Sequence, residues 1–304
     1  MEQTATLKWQ LMAQLMRGPG SVSSGIALGY RAGFDSGEML DYVYENRPQG
    51  RFLVGKLFDW VYLNAVGWRA IRARKTLLQR LLRLEVAAVA GQARPVVLLD
   101  VASGPGRYLL ELARDLQAGT DLGPGGLQII CRDLDPRGLA LGRERAAALG
   151  LTNVRYELGD ATGARSLATV DPRPQVVVAS GVYELFNDTD LIRRSMAGIQ
   201  AILPPGGRFL FTTQVRHPQL EFIANVLVNR AGRPWVMGCR SLADVEDLAR
   251  RAGFEVMRSA MEPVGLFGVT ICRKPGAASH AAPEPGLDQV FGRQQGRQDP
   301  GLRD

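Results

Sequence analysis

The spacing of apolar positions changes character near residue 95. Before it, apolar residues recur at helical intervals, first over 12–16 and then over 52–90, with Gly55 and Gly67 as the main breakers. Between these stretches, 18–37 is rich in Gly and Ser and reads as a loop. After it come short β-rich runs at 96–100, 127–132, 154–157, 175–179 and 208–213, then a closing pair at 255–261 and 268–273. Helical stretches fall between them at 107–117, 137–149, 189–202 and 242–252, the last opened by Ser241 and stopped by Gly253. Seven strands alternating with helices predict an α/β protein with a doubly wound, Rossmann-like sheet. We expect a helical lobe at 1–92 and a sheet domain at 93–274 with a helical insertion near 216–230. A Gly- and Pro-rich disordered tail is expected at 275–304.

The strongest local pattern is Val96-Val-Leu-Leu-Asp-Val-Ala-Ser-Gly-Pro-Gly-Arg-Tyr108. An apolar strand ends in an acid, a tight glycine turn follows, and a helix opens. Glycines let a ligand lie against the backbone, and the helix start offers free N–H groups. A dinucleotide fingerprint would place a third glycine at 109, where this chain has Leu109, so NAD(P) is disfavoured. Strand two ends Ile130-Cys-Arg-Asp-Leu-Asp-Pro136 and strand three Tyr156-Glu-Leu-Gly-Asp-Ala161. Asp133 and Asp160 thus stand at adjacent strand ends, where carboxylates can accept ribose hydroxyls or read a base edge, or remain turn acids. Asp135, before Pro136, reads as a helix N-cap.

These motifs, followed by Val176-Val-Val-Ala-Ser-Gly-Val-Tyr183, Pro204-Pro-Gly-Gly-Arg-Phe209 and Ala252-Gly-Phe254, resemble class I S-adenosylmethionine-dependent methyltransferases over residues 95–274. The resemblance implies S-adenosylmethionine as cofactor. Asp100, Ala102, Ser103, Gly104 and Gly106 would hold its methionine part, with Asp100 near the amino group. It further implies Asp133 on the ribose, Leu134 beside the adenine, Asp160 and Ala161 at the adenine edge, and Ser180 and Gly181 facing the sulfonium. The Asn/Asp-Pro-Pro-aromatic motif of DNA amino-methyltransferases is missing after strand four, where the chain reads Ser180-Gly-Val-Tyr-Glu184, and no cysteine follows to attack a pyrimidine. A bacterial small-molecule methyltransferase, of the kind used in natural-product biosynthesis, is therefore expected. The lobe sequence also resembles a bacterial methyltransferase subfamily with such a segment before the catalytic domain. Its relatives the azetidine-2-carboxylate synthases close a ring within the cofactor and release methylthioadenosine, which leaves such a cyclase, or a non-catalytic cofactor-binding module, as alternatives.

Candidate reacting groups are Tyr183, Glu184 and His217, with Tyr44 from the lobe. Glu184 reads as a base, a ligand for a substrate amine, or a surface acid; His217 as a general base or the start of the insertion. The lobe aromatics Tyr30, Tyr42, Trp60, Tyr62 and Trp68 read as core or as support for a sulfonium.

Composition sharpens this only in part. The chain is 46% hydrophobic and 22% charged, an ordinary globular balance. Its net charge of +7 is concentrated: residues 47–83 hold nine Lys or Arg against one acid, a net of +8, so the rest is close to −1. On a helical wheel Arg69, Arg72, Arg80 and Arg83 fall within about 80°, opposite an apolar face. That reads as a solvated face, or as a dock for an acidic carrier or an anionic lipid surface. The partners expected are a small-molecule substrate, with a homodimer mate or acidic carrier left open; nucleic acid and membrane insertion are not expected. Three scattered cysteines and two histidines, His217 and His280, argue against disulfides and a histidine metal site, and with no signal-like start a cytoplasmic setting is expected.

Overall fold

The computed structural model describes residues 2–90, 95–118 and 126–276. The predicted tail lies almost wholly outside the described residues. Five helices come first: α1 (Glu2–Arg17), α2 (Ser24–Ala32), α3 (Gly37–Glu45), α4 (Phe52–Leu63) and α5 (Val66–Val89). The stretch read as a loop thus contains a helix, α2. Its poor intrinsic propensity is overridden by a cap, the Ser23 hydroxyl accepting from Ile26 N–H, and by packing. A methyl group at Gly29 would lie 2.2 Å from the ring of Phe34, so only glycine lets that ring seat against the helix.

The lobe is organised around one buried carboxylate, Asp59. It accepts hydrogen bonds from Ser23 Oγ at 2.5 Å, Gly25 N at 2.9 Å and Gln49 N at 2.8 Å, and from the Tyr42 hydroxyl. Helix α4 keeps that acid inward while Phe52, Leu53, Leu57 and Trp60 face outward, Trp60 being 55% exposed. Trp68, by contrast, is buried.

The second part contains β1 (Val96–Asp100), α6 (Arg107–Ala118), β2 (Leu127–Asp133), α7 (Pro136–Ala148), β3 (Val154–Leu158), α8 (Ala164–Ala168), β4 (Val176–Ala179), α9 (Thr189–Ile202) and β5 (Arg208–Gln214). It continues with α10 (Leu220–Val226), α11 (Leu242–Arg251), β6 (Glu255–Met261) and β7 (Phe267–Arg273). The sheet order is β3-β2-β1-β4-β5-β7-β6. The first five strands are parallel, and β7 runs antiparallel between β5 and β6. Central strands are apolar along their whole length because helices cover both faces; β1, β4 and β5 are buried throughout. Strand order reverses between β1 and β4, which opens a crevice at their carboxyl ends.

The lobe is tied over that end of the sheet. Asp41 on α3 accepts from Arg107 Nε at 2.8 Å and Nη2 at 3.2 Å, and also pairs with Arg145 on α7. At the opposite end of the strands, Glu85 on α5 pairs with Arg208, the first residue of β5, at 3.0 Å and with Arg258 at 2.9 Å. Part of the basic segment therefore faces protein rather than water, including the buried Arg74 and Lys75, which pairs with Glu111 at 2.5 Å.

Candidate active site

The crevice at the carboxyl ends of β1 to β4 encloses about 340 Å³. Its floor is the 102–106 turn, whose N–H groups and glycines approach any ligand closely. Asp133 is positioned by the turn itself, its Oδ2 accepting from Gly104 N at 2.8 Å and its Oδ1 from Asp135 N at 2.8 Å. A carboxylate has about four acceptor directions, so two remain for hydroxyl groups. Leu134, largely exposed, forms a flat apolar wall, and Asp160, Ala161, Ser180 and Gly181 complete the lining. Asp160 Oδ1 is held by Thr162 N and Thr162 Oγ1, both at 2.8 Å.

Asp100 differs from its expected role. It is fully buried behind the turn, accepting from the Tyr108 hydroxyl at 2.5 Å and Ala102 N at 3.1 Å, and does not line the crevice. Burial pushes its carboxyl up to about 7, against the pull of the Tyr108 hydrogen bond. It braces the turn and Tyr108, which does line the crevice.

A second cavity, of about 310 Å³, adjoins the first. The two share Asp35, Leu40, Gly181 and Leu185. Its walls are apolar and drawn from separated segments: Met16, Ile26, Phe58, Tyr62, Trp68, Phe222, Trp235 and Phe267 among them. Trp68 and Trp235 stack at 6.4 Å with their planes 22° apart.

Arg74 stands where the cavities meet. Its Nη2 donates to Tyr44 Oη at 3.3 Å, its Nη1 lies 3.4 Å from Glu184 Oε1, and its guanidinium covers the Phe267 ring at 4.8 Å. Gly181, at φ 74°, leaves room for it; a methyl group there would lie 3.1 Å from Arg74 Nη2. Glu184 Oε1 also accepts from Thr212 Oγ1 at 3.1 Å, while Glu184 Oε2 is buried and has no protein partner. Burial raises the Glu184 carboxyl above its ordinary value, opposed by Arg74.

Of the four reacting candidates, Tyr44 and Glu184 are joined through Arg74, and His217 lines the apolar cavity. Tyr183 does not join them. Its hydroxyl meets Ser195 Oγ at 3.0 Å inside the core beneath the sheet, because consecutive residues of the short turn at Tyr183–Leu185 point to opposite sides. His217 stands at the start of the insertion, its Nδ1 accepting from Gln219 N at 3.1 Å, which leaves the proton of the neutral ring to Nε2. Burial lowers its affinity for a second proton. Among the lobe aromatics, Tyr42 and Tyr30 are structural, the latter donating to Val226 O at 3.0 Å; Tyr62 and Trp68 line the cavity and Trp60 does not. The residues missed in the sequence are Arg74, Gln214 and Trp235. No local motif marks them; the one available signal was Arg74 on the apolar side of an otherwise basic helix.

Comparison with known proteins places this geometry. The family described as "Putative methyltransferase" matches residues 1–274, helical lobe included. The chain belongs to that methyltransferase family. The chain is 41% identical over 267 residues to the Escherichia coli (strain K12) protein YnbC, described as uncharacterized, covering 87% of this chain and 44% of that protein. A Thermus thermophilus tRNA (guanine(6)-N2)-methyltransferase is 33% identical over 149 residues, covering 45% of this chain and 38% of that one. The chain thus spans less than half the length of the curated relatives it matches. Among solved structures, magnesium protoporphyrin IX methyltransferase from Synechocystis PCC 6803 with bound S-adenosylhomocysteine superposes with a TM-score of 0.55 at 12% identity, covering 80% and 97% of the two chains. A Bordetella parapertussis protein described as a "possible exported protein" gives 0.61 at 19% identity, covering 79% and 80%. These likenesses establish the class I methyltransferase fold. Among the described residues, no helix is long and apolar enough to cross a membrane.

Proposed function

We propose that the methyltransferase binds S-adenosylmethionine in the polar crevice and directs its methyl group to a small molecule seated in the apolar cavity. The observation that carries this reading is the contact between the two cavities at Gly181 and Leu185. The crevice residues fit the cofactor chemically: Asp133 retains acceptor directions for ribose hydroxyls, Leu134 offers an apolar face for a base, and Asp160 lies on the next strand end. Bound there, the cofactor supplies an electrophilic methyl carbon on a cationic sulfur. The protein contributes alignment of two reactants and exclusion of water, which account for much of the acceleration in such displacements. The lobe provides the exclusion: Gly37, at the start of α3, packs on the turn so closely that a methyl group on it would lie 3.2 Å from Gly104 Cα.

The second cavity favours transfer to a separate acceptor over the intramolecular cyclisation, which needs no acceptor site. Calorimetric titration of S-adenosylmethionine into the wild type and Asp133→Ala tests the assignment. Loss of a charge-assisted contact predicts roughly 10- to 100-fold weaker binding in the variant. Equal affinities would remove the crevice from the cofactor. Methylthioadenosine formed from the cofactor alone would replace transfer with cyclisation.

A further inference from the structure

We infer that the acceptor is a flat aromatic compound carrying an acidic hydroxyl group, and that Glu184 is the base that takes its proton. The inference rests on the two-cavity reading above and adds the acceptor's chemistry to it. Three observations carry it.

The first is shape. The cavity's volume of about 310 Å³ suits one small molecule, and its stacked Trp68 and Trp235 with the edge-on Tyr62 suit a planar ring system.

The second is the set of unused polar atoms. Glu184 is 5% exposed and Gln214 1% exposed, yet Glu184 Oε2, Gln214 Nε2 and Trp235 Nε1 find no protein partner, and all three side chains line this cavity. Buried polar groups are normally satisfied, so such a cluster marks groups held for a ligand. His217 adds the Nε2–H beside Gly67. One acceptor facing several donors matches a ligand that donates once, through a hydroxyl, and accepts elsewhere, through a carbonyl or ring oxygen.

The third is charge. The Arg74 guanidinium lies over Gly181, one of the residues common to both cavities, with a methyl group there falling 3.1 Å from Nη2. A fixed cation there opposes a protonated amine and stabilises an oxygen anion as it develops. Its hold on Glu184 Oε1 leaves Oε2 as the atom that accepts the proton.

In the resulting step the acceptor's O–H bond breaks and its proton passes to Glu184 Oε2. The oxygen's electron pair forms the new bond to the methyl carbon, and the carbon–sulfur bond breaks with its pair returning to sulfur. The products are a methyl ether, S-adenosylhomocysteine, and a protonated carboxyl that releases its proton to solvent.

The test uses 7-hydroxycoumarin, 7-aminocoumarin and coumarin with the full chain. Binding is read as quenching of tryptophan fluorescence in the presence of S-adenosylhomocysteine, and transfer by mass spectrometry with methyl-deuterated S-adenosylmethionine. We expect 7-hydroxycoumarin to quench and yield the labelled ether, and the other two to give no labelled product. In Glu184→Gln, quenching and cofactor affinity should stay within about three-fold of wild type while ether formation falls at least 100-fold. Gln214→Met, which leaves the Arg74–Glu184 pair intact, should weaken quenching by 5- to 20-fold. Preferential labelling of the amine, normal turnover by Glu184→Gln, or no quenching by the hydroxyl compound would each overturn the acceptor assignment. Failure of the wild type to bind S-adenosylmethionine would instead overturn the underlying two-cavity reading.

Discussion

The two cavities share a boundary but are built by opposite means. The floor of the crevice is made of backbone and short side chains at the ends of four adjacent strands, with α3 and the 229–233 loop closing over it. The apolar cavity is made of bulky side chains from α1, α2, α4, α5, α10 and the strands β5 and β7. A site built from strand ends is tied to the sheet and keeps one chemistry. A site built from the faces of lobe helices can be reshaped by single substitutions. On the proposed reading, cofactor binding and acceptor choice are thus separated physically as well as chemically.

That separation can be broken or sharpened by variants that strike one side only. The largest effect is expected from Asp59→Ala, which leaves Ser23, Gly25, Tyr42 and Gln49 donors buried without their acceptor. A loss of about 3–5 kcal/mol is expected, read as a lower urea midpoint. If the division is real, lobe amides should lose protection from hydrogen exchange well before those of β1 and β4. Simultaneous loss in both would mean the lobe and sheet fold as one cooperative unit.

On the crevice side, Asp100 gives a pH test. Its folded-state carboxyl titrates near 7, against 3.8 as its ordinary value, so the folded protein holds a proton that the unfolded chain releases between those values. Stability from this group must therefore fall as pH rises from about 4 to 7 and level off above, by an amount on the order of a few kcal/mol. Asp100→Asn should flatten that part of the urea-midpoint profile; an unchanged slope would assign it elsewhere.

Asp41→Ala tests the tie between the two sides, since it removes the lobe's pairing to Arg145 and leaves Arg107 only the longer contact with Glu45 at 3.9 Å. These arginines are partly exposed, so a modest cost of about 1–2 kcal/mol is expected, with roughly ten-fold weaker cofactor retention by calorimetry. The smallest effect belongs to Trp68→Leu. Loss of the stacked ring should weaken acceptor binding by about five-fold and leave cofactor affinity unchanged; a matching fall in cofactor affinity would show that the two cavities are coupled.

How much of this was legible beforehand follows the same division. The floor of the crevice was readable because its groups sit in contiguous motifs: Asp133 and Asp160 could be located from strand ends alone. Even there, the burial of Asp100 was not legible, since whether an acid at a strand end lines the crevice or braces the turn depends on where Tyr108 folds back. Around the second cavity the sequence spoke weakly. Glu184 could be named, but its neighbour Tyr183 looked equally suitable, and only the path of the turn turned one toward Arg74 and the other toward Ser195. Trp60 and Trp68, eight positions apart in the same aromatic stretch, ended on opposite sides of the surface.

What the sequence determined by itself is the sheet domain, with its glycine turns and the acids at its strand ends, because alternation of buried strands and helices, tight glycine turns and terminal acids are local patterns with local causes. What only the tertiary structure decided is the second cavity and the meeting of Arg74, Glu184 and Gly181. Arg74 lies more than a hundred positions along the chain from Gly181 and Glu184, and nothing in local spacing records which helix faces pack together. That outcome belongs to the packing of five helices against the sheet, where side-chain volume, not sequence distance, sets the neighbours.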